Sequence, residues 1–116
     1  SRRVRGLPFW FSLAAHGTNA YAESIETTLA VTREAAAEIR KRPYLDLVID
    51  PELTVIVFRR TGWTSQDYDN WSAALFAAGV SFVVPTRFNG EAAARIVIVH
   101  PRTTLDDIKL VLDAMA

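Results

Sequence analysis

The chain has 116 residues, enough for one domain and short for two. Half of them are hydrophobic and 22% are charged, a composition that folds, and 13 basic residues balance 13 acidic ones, which argues against a dedicated nucleic-acid binder. With no cysteine and two histidines, a disulfide framework, a thiolate metal site and a Cys nucleophile are excluded, and a His-rich metal cage is not expected.

The first residues run basic, then apolar, then small, as a secretory signal does, but Pro8 and three nearby aromatics fit that pattern poorly. No apolar run approaches the roughly 18 residues of a membrane span. The expectation is a soluble, cytoplasmic domain without a membrane or nucleic-acid partner. Residues 7–15 predict a helix with Pro8 in its first turn, where a missing N–H costs nothing. Leu7, Phe9, Trp10, Phe11 and Leu13 surround its axis, so it needs cover on several sides. It is either a central core helix or one covered by another protein surface. Gly17 breaks it. A second helix, capped by Thr18 or Asn19, runs to about Lys41. Its apolar face is Tyr21, Ile25, Leu29, Thr32, Ala36 and Ile39, and Pro43 stops it.

Residues 45–49 and 53–59 read as strands, the second dense in β-branched residues. Thr64 with Asp67 fits a capping box opening a helix that carries Tyr68, Trp71, Leu75 and Phe76 on one face and ends at Gly79. Residues 80–87 and 92–99 read as two strands joined at Asn89-Gly90, a strong hairpin signal. Thr104 with Asp107 opens a last helix with Leu105, Ile108, Leu112 and Met115 on its buried face. The order α, α, β, β, α, β, β, α predicts an α+β fold. Its small antiparallel sheet of three or four strands carries helices on one face, the returning strand lying between its two predecessors. The other face of that sheet, if apolar, also needs a cover. Residues 1–42 form a helical segment and residues 43–116 the α+β unit.

The serines and threonines sit where caps and turns want them, and no paired carboxylate or glycine-rich phosphate loop stands out. His16 reads as structural and His100 as an exposed turn residue. Arg2, Arg3, Arg5, Arg59, Arg60, Arg87 and Arg102 read as solvated. Arg95 differs, because strand alternation puts it on the face of Val97 and Val99. A guanidinium among apolar strand residues needs an anionic partner. This is either an internal Asp or Glu, or the carboxylate of a ligand held in a bidentate clamp.

The ordered set of segments resembles a known family. Arg2-Arg3-Val4-Arg5-Gly6-Leu7-Pro8-Phe9-Trp10-Phe11 with Gly17, the long helix after it, Val55-Ile56-Val57-Phe58-Arg59, Val84-Pro85-Thr86-Arg87-Phe88-Asn89-Gly90, and Arg95-Ile96-Val97-Ile98 with Pro101-Arg102-Thr103-Thr104 are similar in order and spacing to the C-terminal part of group II pyridoxal-phosphate-dependent amino-acid decarboxylases. That resemblance covers essentially the whole chain. It implies the C-terminal small domain of a fold-type I enzyme, a carbon–carbon lyase, with pyridoxal phosphate in the full-length protein and none bound by this chain alone. It also implies that a missing large domain, a homodimer partner and an amino-acid substrate are its partners. The cofactor-holding lysine of the family follows a histidine. Lys41 and Lys109 do not, so no residue here is assigned a catalytic, cofactor-binding or metal-binding role and the isolated chain is expected to be inactive. By the same resemblance Arg95 faces the substrate α-carboxylate, while Arg3, Arg5 and Trp10 lie at an interface. Leu7-Pro8 stands where the family has Leu-Lys, and aromatic, acidic and small aliphatic substrates stay open, as does a lyase cleaving a different carbon–carbon bond. The alternative function is a non-catalytic α+β module for carboxylate binding or dimerisation.

Overall fold

The computed structural model describes residues 3–116. Arg2, part of the basic cluster at the start, lies outside the described residues. Among the described residues the order is α1 (Gly6–Lys41), β1 (Leu45–Leu47), β2 (Val55–Arg60), α2 (Ser65–Ala77), β3 (Pro85–Phe88), β4 (Glu91–Val97) and α3 (Leu105–Asp113). The strands form one sheet in the order β1-β2-β4-β3, every neighbouring pair antiparallel. The returning strand β4 therefore lies between β2 and β3, as predicted.

Local chemistry sets the boundaries. Both predicted capping boxes are closed: Thr64 and Thr104 each accept from the backbone of an aspartate three residues on, and that aspartate accepts in return. Asn89 and Gly90 both take positive φ, 51° and 81°, the twist a type I′ hairpin requires. Gly79, at φ 67°, closes α2. Its N–H goes to Phe76 O at 3.0 Å, and the Val80 N–H to Leu75 O at 3.0 Å, a Schellman ending.

The core lies between one face of the sheet and all three helices. Ile56 and Phe58 of β2, Ala94 and Ile96 of β4, and Ile98 just beyond it meet Ala35 and Ile39 of α1, Tyr68, Trp71 and Leu75 of α2, and Ile108, Val111 and Leu112 of α3. Arg42 ties the end of α1 to the end of α3, with Nη2 donating to Asp113 Oδ1 at 2.6 Å and Nη1 to Glu38 Oε2 at 3.0 Å. Hydrogen bonds from Lys41 and then Arg42 hold the Glu38 carboxyl below its ordinary value.

Helix α1 bends sharply at Gly17, which has φ 80° and ψ 162°. Tyr21 Oη donates to Ser12 Oγ across the bend, and the Phe9 and Tyr21 rings meet edge to face at 6.0 Å. Residues nine or twelve apart on a straight helix would be separated by roughly 13–18 Å, so these contacts require two limbs folded toward each other. The second limb enters the core through Thr28, Thr32, Ala35, Ala36 and Ile39. The first limb does not. Phe9, Trp10 and Phe11 are 58–60% exposed, which overturns the central-core-helix reading.

Three further expectations are corrected. Ile25 is exposed, because the helical face continues past the point where the sheet and the other helices stop covering it. Phe76 turns outward and meets Phe82 edge to face at 5.7 Å. The strand expected over 80–87 is reduced to β3, and its first residues run beside β4 without pairing.

Candidate functional site

The second sheet face is open. Strand alternation places Val55, Val57 and Arg59 of β2 and Ala93, Arg95 and Val97 of β4 on it. Val97 and Val55 are nearly half exposed, and Val99 beyond the strand is 75% exposed. Arg95 sits opposite Val57 near the middle of this face. Its side chain is exposed and makes no hydrogen bond or ion pair among the described residues. The internal carboxylate partner is therefore not found, and Arg95 presents a free guanidinium on an aliphatic surface.

Arg59 shares the face and is engaged. Its Nη2 reaches Phe88 O at 3.2 Å and Glu91 Oε2 at 2.8 Å, while its buried Nε has no partner among the described residues. Arg60, expected to be solvated, is built in. Its Nε donates to Met115 O at 2.7 Å, its guanidinium lies 4.8 Å from the Tyr44 ring centroid, and its backbone N–H donates to Tyr68 Oη at 2.8 Å. The sequence signal available for it was the aromatic pair Tyr44 and Trp63 flanking β1 and β2, which suits an arginine stack.

Beside Arg95 the sheet splits. The Pro85–Ala94 pair is the last of the β3–β4 ladder. The next pair would be Val84 with Arg95, and it does not form. Residues 80–84 instead start from the end of α2, where the Val80 N–H is held by Leu75 O and the Ser72 hydroxyl donates to Val83 O. The result is a cleft of about 340 Å³ between residues 80–84 and 95–98, floored by Ile108 and Val111 of α3. Residues 80–84 carry the β-branched pattern of a paired strand, so the cleft leaves no mark on the sequence.

The chain's two histidines, 84 positions apart, line one larger cavity of about 820 Å³ inside the α1 elbow, with Tyr21, Ser12, Ser24 and Val99. His100 is the exposed turn residue expected, its Nδ1 accepting from the Arg102 N–H at 3.1 Å. His16 is also exposed. Arg3, Arg5 and Trp10 are all exposed, on or beside the first limb. Lys41 pairs with Glu38 and Lys109 with Asp106, both on outer helix surfaces. No cluster of His, Cys, Asp and Glu suited to a metal occurs among the described residues. No helix among them is long and apolar enough to cross a membrane.

The proteins that the chain is similar to are decarboxylases, and its fold is shared with part of solved group II pyridoxal-phosphate-dependent decarboxylases. It is 28% identical to L-2,4-diaminobutyrate decarboxylase of Rhizobium meliloti (strain 1021) over 120 residues, 99% of this chain and 24% of that protein. Over 52 residues, 45% of this chain and 10% of the relative, it is 42% identical to the acidic amino acid decarboxylase GADL1 of Xenopus tropicalis. Mouse CSAD in its apo form has the same fold, with a TM-score of 0.87 at 23% identity, over 99% of this chain and 28% of that one. The chain thus spans about a quarter of the length of the curated relatives that it matches end to end. No family model matches it.

Proposed function

We propose that this chain is the C-terminal portion of a cytoplasmic pyridoxal-phosphate-dependent amino-acid decarboxylase and that Arg95 holds the substrate α-carboxylate. The observation that carries the reading is Arg95 itself, an unpaired guanidinium in mid-strand on an open sheet face. A planar fork of donors matches a carboxylate in two parallel hydrogen bonds, which fixes orientation as well as position. Pyridoxal phosphate supplies an electron sink when bound. Within these 116 residues neither lysine lies in a cleft, so the residues present do not fit the cofactor, and its Schiff-base partner comes from elsewhere in the longer polypeptide. The isolated chain is inactive on this reading. Its contribution is to orient one end of the substrate, the kind of positioning that turns binding into a reactive geometry.

The first limb of α1 supports the same reading. Its exposed Leu7, Phe9, Trp10 and Phe11 are an uncovered apolar surface, suited to a large domain or a second subunit. Arg3, Arg5 and Trp10 belong to that interface.

The test is the intact mass of the protein from its source and its visible absorption after addition of pyridoxal phosphate. A mass several times the 12.9 kDa of this chain, with a new visible band, is expected. In that protein Arg95→Ala lowers kcat/KM by about a hundredfold, the cost of leaving one member of a desolvated charge pair unmatched. A mass near 12.9 kDa with no band overturns the assignment in favour of a carboxylate-binding module.

A further inference from the structure

The open sheet face carries two guanidiniums, and the fold treats them differently. Val57 pairs with Arg95 and Phe58 with Ala94, so the next residue of β2, Arg59, lies diagonal to Arg95 on the same face. Diagonal neighbours on one face of a sheet stand roughly 7–8 Å apart, within reach of long side chains. Two free guanidiniums at that spacing would each hold a carboxylate. Among the described residues, Arg95 is free and Arg59 is not. Arg59 Nη2 donates to Phe88 O at 3.2 Å and reaches Glu91 Oε2 at 2.8 Å. Glu91 begins β4 and shares the open face with Arg95, four positions further along the strand.

Burial explains why Glu91 serves Arg59. The Arg59 side chain is 27% exposed and its Nε is buried without a partner, so it is the more desolvated guanidinium and has the greater need of an anion. The bond itself adds little to the fold. Glu91 is 70% exposed, and an ion pair in water is weak. The turn beside it is already closed by the backbone of Asn89 and Gly90. What the pair changes is the charge of the face, by withdrawing one of two adjacent cations. Asp46, the cross-strand neighbour of Arg59 on β1, is exposed and makes no ion pair among the described residues. The anion that Arg59 holds is therefore Glu91.

We propose that Glu91 is a specificity-determining residue that acts through Arg59. It is a built-in carboxylate, and by occupying Arg59 it leaves the face one guanidinium for an incoming carboxylate instead of two. This rests on Arg95 as the carboxylate clamp and adds the residue that sets how many carboxylates the face accepts.

The experiment is an NMR titration of this chain, following the Nε–H groups of Arg59 and Arg95, with acetate, succinate and glutarate as probes. In the parent chain all three shift Arg95 and leave Arg59 unmoved. The two dicarboxylates gain no more over acetate than having two ends gives them. In Glu91→Ala the dicarboxylates tighten about two- to fivefold relative to acetate, the range of one exposed ion pair, and Arg59 shifts together with Arg95. Glu91→Gln, which keeps an acceptor and loses the charge, moves both readouts the same way by a smaller amount. Asp106→Asn makes the same charge change on α3 and leaves both as in the parent. A shift of Arg59 in the parent chain, an unchanged dicarboxylate preference in Glu91→Ala, or an Arg59 that stays unmoved there overturns the role of Glu91 while leaving Arg95 as a clamp. No shift of Arg95 with any probe in any of these chains overturns the clamp itself.

Discussion

Asp67 and Asp107 show how much one side chain can do at a helix start. Each accepts from a threonine backbone N–H and from its hydroxyl, at 2.7 Å for both contacts in the first box and 2.8 and 2.9 Å in the second. Those bonds favour the ionised form, and both carboxyls are held below their ordinary values. A carboxyl with a depressed folded-state pKa contributes stability that is complete above its unfolded pKa and is lost as pH falls through the folded one. The loss therefore belongs to the acid side of the carboxylate range, with Glu38 contributing in the same window. Replacing Asp107 by Asn keeps an acceptor for the cap and removes the titration. Its urea midpoint is expected to fall less between pH 7 and pH 3 than that of the parent chain. Thr104→Ala is expected to cost about 1 kcal/mol at pH 7, because it leaves a helix-start N–H without its acceptor. Both effects are read by urea denaturation across pH. These residues were legible because a capping box is a local event, complete within four positions. Arg95 was legible as an anomaly in a strand pattern. Its lack of an internal partner was not, since that depends on which side chains the fold brings near.

Among the elements, the hairpin controls the site. The Asn89-Gly90 turn pairs Phe88 with Glu91, and that register puts Arg95 on the open face. A slip of one residue would turn Arg95 into the core and Ile96 out of it. Gly90 takes φ 81° with nothing within 4 Å of an added Cβ, so a substitution there is penalised by conformation rather than by a clash. Gly90→Val is expected to lower stability by about 1–2 kcal/mol. The amide cross-peaks of Arg95 and Ile96 should broaden as alternative registers become populated. An unchanged urea midpoint would remove the turn from its role in setting register. The hairpin, Gly17 and Gly79 were all readable, because backbone geometry that needs glycine leaves its mark on sequence. Residues 80–84 misled for the opposite reason. Their alternation is that of a strand, and the exposure of Val80, Phe82 and Val84 about a buried Val83 confirms an extended segment. What sequence does not carry is the anchor. The Schellman ending of α2 holds the start of the segment off β4, so an extended conformation forms without a ladder.

At the scale of the whole molecule, the two surfaces left uncovered explain its shape. The Cα radius of gyration is 16.5 Å, against about 13 Å for a compact domain of this length. The excess comes from the first limb of α1, which projects with Trp10 60% exposed and Phe9 and Phe11 close to that. The open sheet face adds Val55, Val97 and Val99. Both are apolar surfaces of the kind that another protein surface covers. Burying such side chains contributes roughly 1.5–3 kcal/mol apiece, so their exposure weakens the isolated chain twice, by forgoing that stabilisation and by favouring association. The chain is therefore expected to self-associate as its concentration rises, with a weight-average mass in sedimentation equilibrium above 12.9 kDa. The limb is its most apolar projecting feature, so the double variant Trp10→Glu with Phe11→Glu should return the chain toward a monomer. Its circular-dichroism signal and urea midpoint should stay close to those of the parent, because neither residue belongs to the core. A parent chain that sediments as a monomer at every concentration would show that the limb folds back onto its own sheet in solution. A double variant that unfolds would instead place the limb inside the cooperative unit.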